Sequence, residues 1–192
     1  MNKIIVATLF AMVLFIGQAQ AGSKQFSLFA GYMNPGDLNY SNVQQAVGNL
    51  RGTSIYGARL EADFLKIFGI EQNLEFSPRL LNSTLFPDQA SNLKGFLYSS
   101  NLVVNIPLGR FVPYVTAGLG LVKPWGSNFV NLDTTFAGNY GGGIKLNRLA
   151  GPVGFRFDVR GWRTSDLFAS NGSTNMFEAT GAITFTWGGK KK

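Results

Sequence analysis

The sequence predicts an all-β protein: an eight-stranded antiparallel up-and-down transmembrane β-barrel. Three observations carry that prediction. Extended segments with polar and apolar residues in alternation recur to the end of the 192-residue chain, and no long stretch shows a helical apolar period. The connections between them alternate between long and short, so the two rims of the sheet meet different surroundings. The apolar faces carry aromatic residues toward the strand ends, while the polar faces carry charges of both signs.

The first residues stand apart from this pattern. Met1–Ala21 reads as a secretory signal peptide: Lys3 supplies the positive start, IIVATLFAMVLFIG the apolar stretch and Ala19-Gln20-Ala21 a small-x-small cleavage site. A membrane anchor is the alternative, but the apolar run falls short of the ~20 residues a spanning helix needs. The expected organisation is therefore a signal peptide over 1–21 and a barrel domain over 22–192. Cysteine is absent, which removes a disulfide framework and the residue a lipoprotein anchor requires.

The expected strands are 25–32, 53–64, 69–79, 94–106, 111–121, 135–146, 153–163 and 176–187. The first places Phe26 and Tyr32 on its apolar face. In the second, Tyr56, Ala58, Leu60, Ala62 and Phe64 oppose Ile55, Gly57, Arg59, Glu61 and Asp63. The third sets Ile70, Leu74 and Phe76 against Glu71, Asn73, Glu75, Ser77 and Arg79. The fourth and fifth contribute Phe96 and Phe111 to the apolar side. The sixth has Phe136 there and Lys145 on the polar side. The seventh, GFRFDVRGW, alternates Phe155, Phe157 and Val159 with Arg156, Asp158 and Arg160. In the eighth, Phe177, Ala179, Gly181, Ile183, Phe185 and Trp187 oppose Glu178, Thr180, Thr184 and Thr186. Connections 33–52, 80–93, 122–134 and 164–175 are long and polar; 65–68, 107–110 and 147–152 are short.

In a soluble sheet the charges would face water. Here the polar faces hold Arg59, Arg79, Lys145, Arg156 and Arg160 against Glu61, Asp63, Glu71, Glu75, Asp158 and Glu178, a near balance that suits mutual pairing. Aromatic residues at both rims mark two membrane interfaces. A cation on the lipid side would cost roughly 2–4 kcal/mol at the midplane, and an eight-stranded barrel has an interior just wide enough for side chains. The charges are expected inside as an ion-pair network, and the phenylalanines outside. A soluble lipocalin-like barrel with the faces reversed is the alternative.

The stretches PLGRFVPYVTAGLGL (107–121), GNYGGGIKLN (138–147) and GPVGFRFDVRGW (151–162) resemble the fifth, sixth and seventh strands of the bacterial outer-membrane β-barrel family that includes OmpA-type, OmpX-type and opacity proteins. The resemblance covers essentially the whole chain after the signal. It implies an outer membrane of a Gram-negative bacterium, periplasmic termini, and a role as adhesin, structural protein or narrow pore. It also implies an assembly signal at Phe185 and Trp187, read by the barrel assembly machinery. Two departures are a barrel not followed by a peptidoglycan-binding domain and the five residues after Trp187.

Histidine is absent, and with it the commonest general base, the Ser-His and Cys-His pairs and the commonest metal ligand. Barrel enzymes of similar fold mostly rely on histidine. The carboxylates Glu61, Asp63, Glu71 and Glu75 can be read as an acid/base site, but equally numerous basic partners favour a structural network. GNYGGGIK lacks the order of a phosphate loop; Gly118, Gly120, Gly141 and Gly143 are instead expected to form a bare inner wall facing Phe29, Arg59 and Glu61 across the lumen. Sequons at Asn39, Asn82 and Asn171 read as chance. No cofactor or metal is expected.

The formal net charge of +7 comes without a basic stripe, so nucleic acid is not expected as a partner. The long connections balance Asp37, Asp88, Asp133 and Asp166 against Arg51, Lys94, Lys123 and Arg163, and connection 33–52 is the expected contact surface for an extracellular ligand. The opposite rim carries Lys24, Lys66, Arg110, Arg148 and Lys190 to Lys192, which suits anionic headgroups. The expected partners are outer-membrane lipids and the assembly machinery, the expected state a monomer, and the expected role a non-enzymatic one in envelope structure or surface interaction. A narrow pore or hydrophobic-solute conduit is the second reading.

Overall fold

The computed structural model describes residues 22–39, 50–64, 67–79, 82–83, 94–126, 134–165 and 173–188. Eight strands close into an antiparallel barrel: β1 (Ser23–Asn39), β3 (Thr53–Phe64), β4 (Phe68–Ser77), β6 (Lys94–Asn105), β7 (Phe111–Trp125), β8 (Thr135–Ala150), β9 (Val153–Ser165) and β10 (Ser173–Gly188). Two shorter strands, β2 (Leu50–Arg51) and β5 (Asn82–Ser83), pair with each other within the first two long connections. Around the barrel each strand pairs with its neighbours in sequence, and β1 closes on β10 from Ser23↔Gly188 to Asn39↔Ser173. Closure satisfies the backbone within the sheet, the condition for crossing a membrane with strands.

Several boundaries differ from the sequence expectation: β7 runs to Trp125 rather than residue 121, and β10 starts at Ser173 rather than residue 176. β1 runs past residue 32 to Asn39 although Asn34-Pro35-Gly36-Asp37 has turn composition. Its partner β10 lies alongside, and backbone pairing needs no apolar side chain; the register shifts between Pro35 and Leu38, where proline cannot donate to the ladder. β8 extends to Ala150 through an irregularity after Leu146, with Arg148 at φ 55°. β4 ends at Ser77 rather than residue 79, because Pro78 lacks the N–H that would continue the ladder.

That last difference corrects a site residue. Arg79 is exposed beyond the strand end, on the side of the long connections, and is not part of the lumen. The described interior holds four cations, Arg59, Lys145, Arg156 and Arg160, against six carboxylates, Glu61, Asp63, Glu71, Glu75, Asp158 and Glu178. The balance read from the sequence does not hold inside; of the cations counted with the long connections, Lys94, Lys123 and Arg163 lie within β6, β7 and β9.

The two faces sort as the transmembrane reading requires. Leu119 is 74% and Phe136 75% exposed on the outer surface, whereas Arg59 is 1% and Arg156 0% exposed inside. Leu28, Leu102, Val115, Phe157, Val159 and Ile183 continue the outer apolar belt. An apolar surface of this extent is incompatible with a monomer in water and fits lipid, so the lipocalin-like alternative fails.

Candidate functional site

The polar lumen is built in cross-braces between opposite walls. At the level of the short turns, Lys145 on β8 donates to Glu61 Oε1 on β3 (2.5 Å) and to Asn105 Oδ1 on β6 (2.7 Å). Asn105 donates in turn to Glu61 (3.2 Å) and Asp63 (3.0 Å), and Ser23 donates to Asp63. Both Lys145 Nζ and the Arg156 guanidinium lie over the Tyr114 ring, at 4.6 and 4.4 Å from its centroid.

In the middle, three guanidiniums interleave with carboxylates. Arg156 reaches Glu61 (3.0 Å), Glu71 (2.6 Å) and Asp158 (3.1 Å). Arg160 reaches Glu71 (2.8 Å) and Asp158 (3.3 Å). Arg59 pairs with Asp158 and, at 3.5 Å, with Glu178, while its Nε donates to Asn73 (3.0 Å). Asp158 thus receives three arginines. Phe29 supports Arg59 from below, its ring centroid 3.9 Å from the guanidinium carbon. Glycine at position 57 makes that possible, since a Cβ there would sit 2.3 Å from the Phe29 ring.

Glu75 is the exception. It accepts from Asn73 and lies beside Glu178, and among the described residues it has no ion-pair partner. Asp63, partly exposed at the short-turn mouth, feels the charge of Lys145 through the cluster it shares with Asn105 and Glu61.

The glycine wall exists, but large groups lie on it from β9, which adjoins Gly141 of β8 and is one strand removed from Gly120 of β7, rather than from across the lumen. A Cβ at Gly141 would be 2.9 Å from Arg160 Cγ, and one at Gly120 would be 3.1 Å from Trp162 Cζ3. The physical reason is that the arginines lean along the sheet before crossing it, so their stems need the bare backbone.

A second layer was not anticipated. Toward the long connections, Met33, Ile55, Leu97, Val122, Ala137, Trp162 and Met176 converge as a buried apolar cap over the charges. Trp162 Nε1 donates to Glu178 Oε2 (3.1 Å), tying the cap to the network. These residues are in phase with the inward charges: Ile55 with Arg59, Trp162 with Arg160, Met176 with Glu178. Following that phase outward along each strand finds them.

Phe185 and Trp187 point outward near the end of β10, 41% and 46% exposed, in the outer aromatic belt. Residues 40–49 of connection 33–52 lie outside the described residues, as do Lys66 and Lys190 to Lys192.

A closed barrel with an apolar exterior and charges sealed within it is an integral membrane β-barrel. More particularly, the profile of the family described as "Outer membrane protein beta-barrel domain" matches residues 7–185, and the chain belongs to that family, a family of the outer membrane. In structure it is similar to neisserial surface protein A (TM-score 0.64, 10% identity, covering 85% of this chain and 98% of that one). It is also similar to OprG from Pseudomonas aeruginosa (TM-score 0.59, 11% identity, 88% and 97% covered). At these identities the likeness is one of fold alone. No curated protein matches the chain in sequence.

Proposed function

We propose that the chain is a non-enzymatic, plugged outer-membrane barrel that acts in envelope structure or surface interaction through its long connections. The observation that carries this reading is the double filling of the lumen: a cross-braced ion network beneath an apolar cap. Water and ions would have to displace both layers to pass. Of the carboxylates a catalytic reading would use, Glu61 and Glu71 are held by arginine and lysine, Glu75 is sealed in the interior at 1% exposure, and Asp63 stands at the short-turn mouth. In planar bilayers the refolded protein is expected to be silent; steady discrete openings would replace this reading with the narrow pore.

The second reading, a conduit for small hydrophobic solutes, draws support from the cap itself, since Met33, Ile55, Leu97 and Met176 offer an apolar surface just inside the outer mouth. Uptake of an apolar solute by cells with and without the protein separates the two: a rate unchanged by the protein supports the plugged barrel, and a protein-dependent rate the conduit.

In this proposal residues 1–21 are the signal peptide and the barrel stands as a monomer. Its short turns and both strand termini, Ser23 and Gly188, share the periplasmic rim. An extracellular ligand is engaged through connection 33–52. Phe185 and Trp187 serve as the outward-facing signal for the assembly machinery, and Gly188 at φ 70° ends the strand. Trp187→Ala is expected to lower the heat-modifiable fraction in outer-membrane preparations, while deletion of residues 188–192 leaves it nearly intact. The opposite ranking would remove the assembly role.

A further inference from the structure

Every carboxylate whose side chain the structure describes points into the lumen, so the charges described on the outside of the barrel are all cations. On one flank of the long-connection rim they are clustered. Lys94 on β6 lies opposite Trp125 on β7, and Phe96 lies opposite Lys123, which makes the two lysines a diagonal cross-strand pair on the outer face. Both are exposed. Phe76 on β4 pairs with Phe96, and its ring packs on Trp125 at 5.9 Å between centroids. Arg79 is exposed two residues past Ser77, whose partner is Gly95, and so joins the lysines at the same corner.

Two lysines therefore stand at the membrane-facing edge of an aromatic shelf, at the depth where headgroup gives way to acyl chain, with Arg79 exposed beyond the adjoining strand end. A water-soluble anion would use the cations and leave the shelf idle; an uncharged lipid would do the reverse. We infer that Lys94 and Lys123 hold the phosphates of a diphosphorylated, multiply acylated glycolipid of the outer leaflet, its acyl chains lying on Phe76, Phe96 and Trp125. Charge complementarity and the continuous apolar wall below select this occupant over a protein. Placing the rim in the outer leaflet rests on the orientation proposed above.

The test is native mass spectrometry of the folded barrel released from micelles loaded with diphosphoryl lipid A. Wild type is expected to retain lipid A. Lys94→Gln with Lys123→Gln should weaken retention roughly tenfold or more, given the contribution of each basic residue near an anionic lipid, and Lys94→Arg with Lys123→Arg should preserve it. Dephosphorylated lipid A is expected to bind wild type as weakly as the diphosphoryl form binds the glutamine variant. Undiminished retention by that variant overturns the inference, as does equal loss in the opposite-rim variant Arg110→Gln. Equal capture of phosphatidylglycerol, or displacement by inorganic phosphate, overturns it too. Should the glutamine variant fail to fold, the lipid comparisons on wild type and the arginine variant still decide. Binding in micelles does not depend on which way the barrel faces in cells. Whole-cell labelling of Gly126→Cys tests the orientation separately, so the two failures are distinguishable.

Discussion

Arg156→Leu is expected to lower the unfolding free energy of the refolded barrel by about 3–5 kcal/mol, the range for breaking a buried ion pair from one side. Arg156 is 0% exposed and bridges three carboxylates, Glu61, Glu71 and Asp158, that arise on three different strands. Leucine fills much of the volume but leaves three cations against six carboxylates in an interior already short of positive charge. Lys145 still serves Glu61, and Arg160 still serves Glu71 and Asp158, so the barrel should fold while resisting urea less well. Glu75→Gln gives the contrasting result. It is nearly isosteric, can keep the contact with Asn73, and removes a buried charge with no ion-pair partner among the described residues. Its midpoint should stay level or rise. Urea titration read by heat-modifiable mobility checks both; an unchanged midpoint for Arg156→Leu would mean that water enters the lumen and screens the network.

Trp162→Ala is expected to cost a similar amount, about 3–5 kcal/mol, by a different route. The indole is 1% exposed, lies against Gly120 and donates to Glu178. Alanine opens a cavity in the cap and strips a hydrogen bond from Glu178, a member of the charge layer. Trp162→Phe should recover most of the packing but not the hydrogen bond, and so fall between the two. Should Trp162→Ala unfold at the wild-type midpoint, the cap is not a packed layer and the double filling proposed for the lumen is wrong.

Much of the fold was legible because a strand has a period of two. Once Arg156, Asp158 and Arg160 alternate with Phe155, Phe157 and Val159, one face must be lipid and the other lumen, and the rhythm of long and short connections orders the strands around the barrel. The inward set of charges follows from phase alone, and Arg79 shows the limit of phase. It continues the alternation of Glu71, Asn73, Glu75 and Ser77, yet Pro78 ends the hydrogen-bonded ladder first and leaves it outside.

The sequence by itself determined which face each strand residue takes, because the pleat alternates side chains whatever the neighbours are. Only the tertiary structure decided depth, partner and layer. Periodicity within one strand carries no information on the stagger between strands, and that stagger brings Arg156 of β9 to Glu61 of β3 and Glu71 of β4 across the lumen. It likewise gathers Ile55, Leu97, Val122, Trp162 and Met176, scattered over five strands, into one cap. The same stagger sets Lys94 and Lys123 on one aromatic shelf.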